Sequence, residues 1–338
     1  MSEPHRPSVV LAMSPVHLPR LFDEPLRRRL DELAEIDLGL VLRDFSTPEA
    51  VTALRSAEVL LTCWGAPSVD ASVLADAPRL KAIVHAAGSV KHLATAACWQ
   101  RGIRVSSAAA LNAVPVAEYT VAMAVLAGKR AFHAQAAYRA QGSEQFWAGM
   151  DADLGNYRIT VGVVGASHVG RKVLELLGSY DMDLLLTDPT LSAAEAEELG
   201  ARLVGLDELV SSSDVVSIHA PDVPETYRLI NAERLALMRD GATLINTARG
   251  ALVDTEALTE ELATGRLSAV LDVTDPEPLP SHSPLFTLPN VVLTPHIAGS
   301  LGNEVRRLGE LAVDELEKYA RGEEFAFPVV QERLSILA

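Results

Sequence analysis

A buried strand, a glycine turn and the start of an apolar-faced helix follow one another across residues 159–177. This succession restricts the fold more than any other stretch of the chain. Ile159-Thr-Val-Gly-Val-Val164 is short, β-branched and apolar, the composition of a strand covered on both faces. Val169, Val173, Leu174, Leu176 and Leu177 then fall on one broad face of a helix. Between the two lies Gly165-Ala-Ser-His-Val-Gly170. Such a turn lets backbone approach a pyrophosphate, and the helix N-terminus offers it unpaired N–H groups and a positive dipole end. Asp188 closes the next apolar run, Leu184-Leu-Leu-Thr187, eighteen residues after Gly170. A carboxylate there accepts bonds from ribose hydroxyls and repels a 2′-phosphate, so NAD is expected rather than NADP. The turn departs from G-x-G-x-x-G at its middle position, which is Ser167. A serine there either crowds the phosphates with its Cβ or donates its hydroxyl to one of them. The alternative is a tight strand-to-helix turn in some other α/β protein, and the spacing of Asp188 argues against it.

Strands and helices alternate along nearly the whole chain. In the first third, Val9–Met13, Val59–Thr62 and Leu80–Val84 read as strands. Pro25–Ala34, Pro48–Ser56 and Ser68–Ala75 read as helices, with Thr47 as an N-cap before Pro48. An Ala-rich stretch from Pro115 to Gln141 has helical spacing, and Gly142–Asn156 reads as a loop. The second series of strands is Ile159–Val164, Leu184–Thr187, Val215–Ile218, Thr243–Asn246, Ala269–Leu271 and Val291–Leu293. Asn303–Arg321 reads as an amphipathic helix. Repeated β–α alternation predicts parallel sheets joined by right-handed crossovers.

With 338 residues the chain is long enough for two domains with their own cores. A net charge of −16 argues against sequence-independent nucleic-acid binding, which needs a cationic surface. No apolar run reads as long enough to span a membrane, and the N-terminus lacks a signal-peptide pattern. Cys63 and Cys98 are too few for a disulfide framework and fit free thiols in a reducing cytoplasm. The histidines show no H-x-x-x-H spacing and there is no C-x-x-C pair, so no metal site is expected.

Three further segments place polar residues just beyond an apolar strand: Asn246-Thr-Ala-Arg-Gly250, Leu271 through Pro280, and Thr294-Pro-His-Ile-Ala-Gly299. The carboxyl edge of an open parallel sheet is where ligands bind. Singly, Arg249 reads as a surface cation, Glu277 as one acid in a proline-stiffened loop, and His296 as a satisfied core histidine. Together they supply an anion binder, a carboxylate and a titratable imidazole, the set that hydride transfer at a carbon bearing oxygen requires.

In these segments, with Asp188-Pro189 and His219-Ala-Pro221, the chain resembles the NAD-dependent D-isomer-specific 2-hydroxyacid dehydrogenase family. The similarity covers nearly the whole chain and is strongest from Val161 to Gly299. It implies an α/β architecture of two doubly wound parallel-sheet lobes. One is a flavodoxin-like substrate domain of residues 1–110 and 300–338, and the other a Rossmann-type NAD domain of residues 111–299. Chain crossings near Asn112 and Gly299 would be hinges between them. The resemblance makes Arg249 the group that grips the substrate carboxylate and carbonyl, His296 the acid/base, and Glu277 the acid paired with it. Asp275 is a rival acid two residues away. Cofactor contacts are implied at Gly165, Ser167, His168, Val169, Gly170, Asp188, His219, Ala220, Pro221 and Gly299, with Thr247, Ala248 and Asp272 beside the nicotinamide carboxamide. Ala87, Gly88 and Ser89 resemble, more loosely, the loop whose N–H groups hold the substrate carboxylate.

The implied activity interconverts a 2-oxo acid and a D-2-hydroxy acid, as in hydroxypyruvate and glyoxylate reductases. A non-catalytic NAD-sensing protein, or a phosphite or formate dehydrogenase on the same scaffold, remains as an alternative. The partners expected are the small acid and a second copy in a homodimer, with the Pro115–Gln141 stretch either at that contact or packed within the chain. Nothing follows Ala338 that reads as a regulatory domain, so the long, effector-controlled type of phosphoglycerate dehydrogenase is not expected.

Overall fold

The computed structural model describes residues 5–141 and 155–334. The chain divides into two compact units, Met1–Asn112 with Ser300–Leu337, and Ala113–Gly299. Residues 142–154, most of the loop expected at Gly142–Asn156, lie outside the described residues.

The first unit is built on a sheet of β1 (Ser8–Ala12), β2 (Glu35–Leu42), β3 (Val59–Thr62), β4 (Ala82–His85), β5 (Arg104–Ser107) and β13 (Pro328–Val329). The order is β13-β5-β4-β3-β1-β2, parallel except for β13, which is antiparallel at the edge. The central strands β3 and β4 are buried at every residue, as expected of strands with helices on both faces. Strand β2 is absent from the strands expected: its burial alternates along Glu35–Leu40, with acids on the exposed side, the pattern of a half-buried strand rather than the continuous apolar run of its neighbours. Strand β5 ends in two serines, and β13 has only two residues.

The second unit holds β6 (Thr160–Val164), β7 (Asp183–Thr187), β8 (Arg202–Leu203), β9 (Val215–Ile218), β10 (Thr243–Asn246), β11 (Ser268–Leu271) and β12 (Val291–Leu293). All run parallel in the order β12-β11-β10-β9-β6-β7-β8. Counted within the unit this is 7-6-5-4-1-2-3, the doubly wound dinucleotide order with one further strand. Its switch point lies between β6 and β9.

Two expectations change. The stretch expected to be helical from Pro115 begins six residues earlier: one helix spans Ala109–Gly128 with Pro115 inside it, and a second spans Ala131–Gln141. The break falls where Arg130 takes a φ of 46°, a left-handed conformation that ends helical hydrogen bonding. The first helix is also long and apolar enough to cross a membrane by length and composition, contrary to the reading that no run is. In this fold it is a core helix: Ala117, Val121, Ala124 and Ala127 are buried among Val161, Val163, Val173 and Leu186.

Candidate active site

The glycine turn joins β6 to a helix over His168–Leu177. Gly165 has a φ of 95°, and a Cβ there would lie 2.8 Å from the Ala220 backbone nitrogen, so neither the conformation nor the space admits a side chain. Ser167 is different. Its φ of −63° suits any residue, and its Oγ caps the helix by accepting from the Gly170 N–H at 3.4 Å. The departure from glycine therefore introduces no backbone strain. The N–H groups of Ser167, His168 and Val169 donate to no protein oxygen among the described residues, which leaves them for an anion at the helix start. The Ala166 N–H instead donates to Asp188 Oδ2 at 2.7 Å, while Asp188 Oδ1 accepts from the Thr190 N–H and hydroxyl at 2.8 and 2.6 Å. Burial raises the Asp188 pKa, but the Thr190 and Ala166 hydrogen bonds outweigh it and hold the carboxyl below its ordinary range. One carboxylate thus fixes the turn and stands, ionised, at the end of β7.

His219 is buried behind that turn. Its Nε2 meets Ser217 Oγ at 2.8 Å, Nδ1 has no partner among the described residues, and burial pushes its pKa down to about 3, so the ring is neutral. Its backbone carbon and Cβ stand against Gly165 and Gly170, with Ala220 also against Gly165 and Pro221 following.

Arg249, Glu277 and His296 follow β10, β11 and β12, and the first two segments meet, since Gly250 lies against the Thr274–Asp275 backbone. His296 Nδ1 lies 2.8 Å from Glu277 Oε1, and both side chains are about half exposed (51% and 44%). A carboxylate only accepts, so Nδ1 carries the proton and Nε2 is left for another partner. Asp275 makes no such bond. Arg249 Nη1 donates to the Ala248 carbonyl at 2.6 Å, and Arg249 is in none of the ion pairs among the described residues. Asn246 positions it from below: the side-chain amide donates to the Arg249 carbonyl at 2.8 Å and accepts from the Ala248 N–H at 3.1 Å. Thr247 Oγ1 is 3.0 Å from Thr120 Oγ1, both buried.

Asp272 is buried, and its two oxygens gather three donors: the Thr294 hydroxyl at 2.7 Å, and the N–H groups of Ile297 and Ala298 at 2.8 and 2.9 Å. Its carbonyl accepts from the His296 N–H at 2.9 Å. These bonds surround a strained point, because His296 has a φ of 54°. A left-handed non-glycine residue costs about 1–2 kcal/mol and persists only where its surroundings hold it. Thr294 Oγ1 in turn lies 2.8 Å from the Tyr119 hydroxyl. Thr120, Asn246, Tyr119 and Thr294 are absent from the residues expected at the site. Asn246 and Thr294 stand at the ends of the polar segments already singled out, and Thr120 and Tyr119 carry no local signal.

In the first unit, Ala87, Gly88 and Ser89 follow β4 at the carboxyl edge. The Ala86 N–H donates to Thr62 and the Ala87 carbonyl accepts from Ala108, which anchors the loop. The N–H groups of Ala87, Gly88, Ser89 and Val90 donate to no protein oxygen among the described residues, an arrangement that suits a carboxylate. Gly299 is the last residue of the second unit before the chain crosses back.

The sequence pattern of the "D-isomer specific 2-hydroxyacid dehydrogenase, NAD binding domain" matches residues 121–298. A glyoxylate reductase of Thermofilum pendens is 34% identical over 318 residues, 93% of each chain. A D-3-phosphoglycerate dehydrogenase of Methanocaldococcus jannaschii is 30% identical over 93% of this chain and 58% of its own. The chain spans about half the length of the first curated relatives it matches, 58% and 48% of two phosphoglycerate dehydrogenases. The crystal structure of a Thermus thermophilus protein superposes with a TM-score of 0.73 at 34% identity, covering 96% of this chain and 100% of that one.

Proposed function

Since this chain belongs to the D-isomer-specific 2-hydroxyacid dehydrogenase family, whose domain binds NAD, we propose that it reduces a small 2-oxo acid, glyoxylate or hydroxypyruvate, to the D-2-hydroxy acid. The observation that carries the reading is the His296–Glu277 pair at 2.8 Å; the segment of Arg249 packs backbone to backbone on the loop that leads to Glu277, and that arginine has no carboxylate partner among the described residues. The free N–H groups at Ser167, His168 and Val169, with an ionised Asp188, fit the pyrophosphate and ribose of NAD. Bound NADH supplies hydride chemistry at the substrate 2-carbon. As the imidazolium, with Nδ1–H held by Glu277, His296 gives its Nε2 proton to the carbonyl oxygen and is left neutral. Arg249 stabilises the charge developing on that oxygen and grips the carboxylate, for which a planar fork of donors is suited. Glu277 holds the imidazole in one tautomer and orientation.

The preference for a small substrate rests on the glyoxylate reductase that matches over 93% of both chains. Cytoplasmic location and a homodimer belong to the same proposal. Cys63 and Cys98 are free thiols, and the Ala131–Gln141 helix buries none of its described side chains fully. The test is an NADH-consumption assay over glyoxylate, hydroxypyruvate, pyruvate and phosphohydroxypyruvate, with formate and phosphite tried against NAD. Glyoxylate or hydroxypyruvate should give the highest kcat/KM, about tenfold or more above pyruvate. Oxidation of formate or phosphite with no 2-oxo acid consumed would replace this reading.

Ser167 gives a sharper prediction for the cofactor. Its Oγ accepts from Gly170, so the hydroxyl hydrogen is available to a phosphate oxygen. Ser167→Gly should weaken NADH about fivefold, the worth of one modest hydrogen bond, with little change in Tm. Fluorescence titration with NADH reads it; tighter binding would mean that the serine only crowds the phosphates.

A further inference from the structure

The bonds around His296 extend beyond the residues that touch substrate or cofactor. Thr294 Oγ1 donates to Asp272 Oδ1 at 2.7 Å, because a carboxylate has no proton to give. That commits the hydroxyl hydrogen of Thr294. The 2.8 Å contact between Thr294 Oγ1 and the Tyr119 hydroxyl must then run from tyrosine to threonine. Tyr119 is half-buried, and burial together with the nearby Asp272 charge raises its pKa although the Thr294 bond opposes this. The phenol therefore remains a donor at any ordinary pH. The result is a directed chain: Tyr119 to Thr294 to Asp272, whose oxygens also hold the N–H groups of Ile297 and Ala298. It starts on the Ala109–Gly128 helix and ends at the two residues that follow the left-handed His296.

We infer that Tyr119 and Thr294 are positioning residues, which orient Asp272 so that it clamps the loop at His296 and fixes the imidazole against Glu277. The inference rests on His296 being the proton donor. Neither Tyr119 nor Thr294 needs to meet the substrate for this to hold. Without the hydroxyl of Thr294, the carboxylate keeps one backbone donor on each oxygen but loses its link through Tyr119 to the Ala109–Gly128 helix. The loop then samples conformations in which the φ of His296 relaxes and the ring leaves Glu277.

The test uses the full chain with Thr294→Val, Thr294→Ser, Tyr119→Phe, the Thr294→Val/Tyr119→Phe double variant and His296→Asn. Thr294→Val should lower kcat about 30-fold, the scale expected of a misplaced catalytic group, and Tyr119→Phe about fivefold. Thr294→Ser, which keeps the hydroxyl, should restore kcat to within about threefold of the parent. The double variant should be no worse than Thr294→Val, since both remove one chain. NADH affinity and Tm should hold in all of them. In the cofactor-free protein, the downfield proton signal of the His296 Nδ1–H bonded to Glu277 should weaken in Thr294→Val and return in Thr294→Ser. The inference is overturned if Thr294→Val leaves kcat and that signal intact while His296→Asn is inactive. It is equally overturned if kcat, NADH affinity and Tm all fall together and serine does not restore them. Should His296→Asn retain turnover, the assignment of the proton donor fails first, and the inference with it.

Discussion

Replacing His296 by asparagine is expected to lower kcat for 2-oxo acid reduction about 10³-fold while NADH affinity stays within about twofold. The substitution isolates the chemistry for two reasons. Asparagine, like histidine, tolerates the left-handed backbone found at this position, where φ is 54°, so the loop keeps its shape. Its side-chain amide can also donate to Glu277 in place of Nδ1, so the acid is not left without a partner. What disappears is the imidazole that gives a proton to the carbonyl oxygen. Ser167, His168, Val169 and Asp188, the residues proposed to meet the cofactor, lie at the start of the helix that follows β6 and just past the end of β7, outside this loop. Stopped-flow reduction with NADH, alongside fluorescence titration of NADH, separates the two quantities. A kcat within tenfold of the parent would remove His296 from the proton transfer.

The contrast between Glu277 and Tyr119 shows what sequence reveals of such a site. Glu277, Arg249 and His296 stand just past short apolar strands, and strands buried on both faces are the easiest elements to read from composition. Once β10, β11 and β12 are taken as neighbours at one sheet edge, their trailing polar residues must come close. Choosing Glu277 over Asp275 took the resemblance to the family, because the two differ by two positions in one loop; in the structure it is Glu277 that meets the imidazole. Tyr119 is harder still. It is separated from Thr294 by 175 residues and sits in an Ala-rich helix made mostly of small apolar residues. Its role depends on helix placement against the sheet, which periodicity does not specify. In the fold, β8 and β13 have two residues each, too short to show any pattern, whereas β2 alternates acids with apolar residues and is legible by that period though not as a continuous apolar run.

Gly250→Ala is expected to lower kcat/KM about 10²-fold and Tm by roughly 4–8 °C, because a methyl group must be forced between two segments of backbone. A Cβ at Gly250 would lie 2.0 Å from both the carbon and the oxygen of the Thr274 carbonyl, and 2.5 Å from the Asp275 nitrogen. No side-chain rotation relieves such a contact, since the atoms met are main chain. One of the two segments has to move. The segment before Gly250 carries Arg249, whose carbonyl is held by the buried Asn246 amide at 2.8 Å. The segment containing Thr274 leads in three residues to Glu277 and hence to His296. The loop with Thr274 is the more exposed of the two, so it should yield, carrying the carboxylate away from the imidazole. Arg249 should keep its place, and the loss should appear mainly in kcat. A variant that grips 2-oxo acids poorly but reduces bound substrate at the parent rate would show that the arginine segment gave way instead. If kcat/KM and Tm both stay at parent values, the close approach of the two segments is not what brings arginine, acid and imidazole into one site.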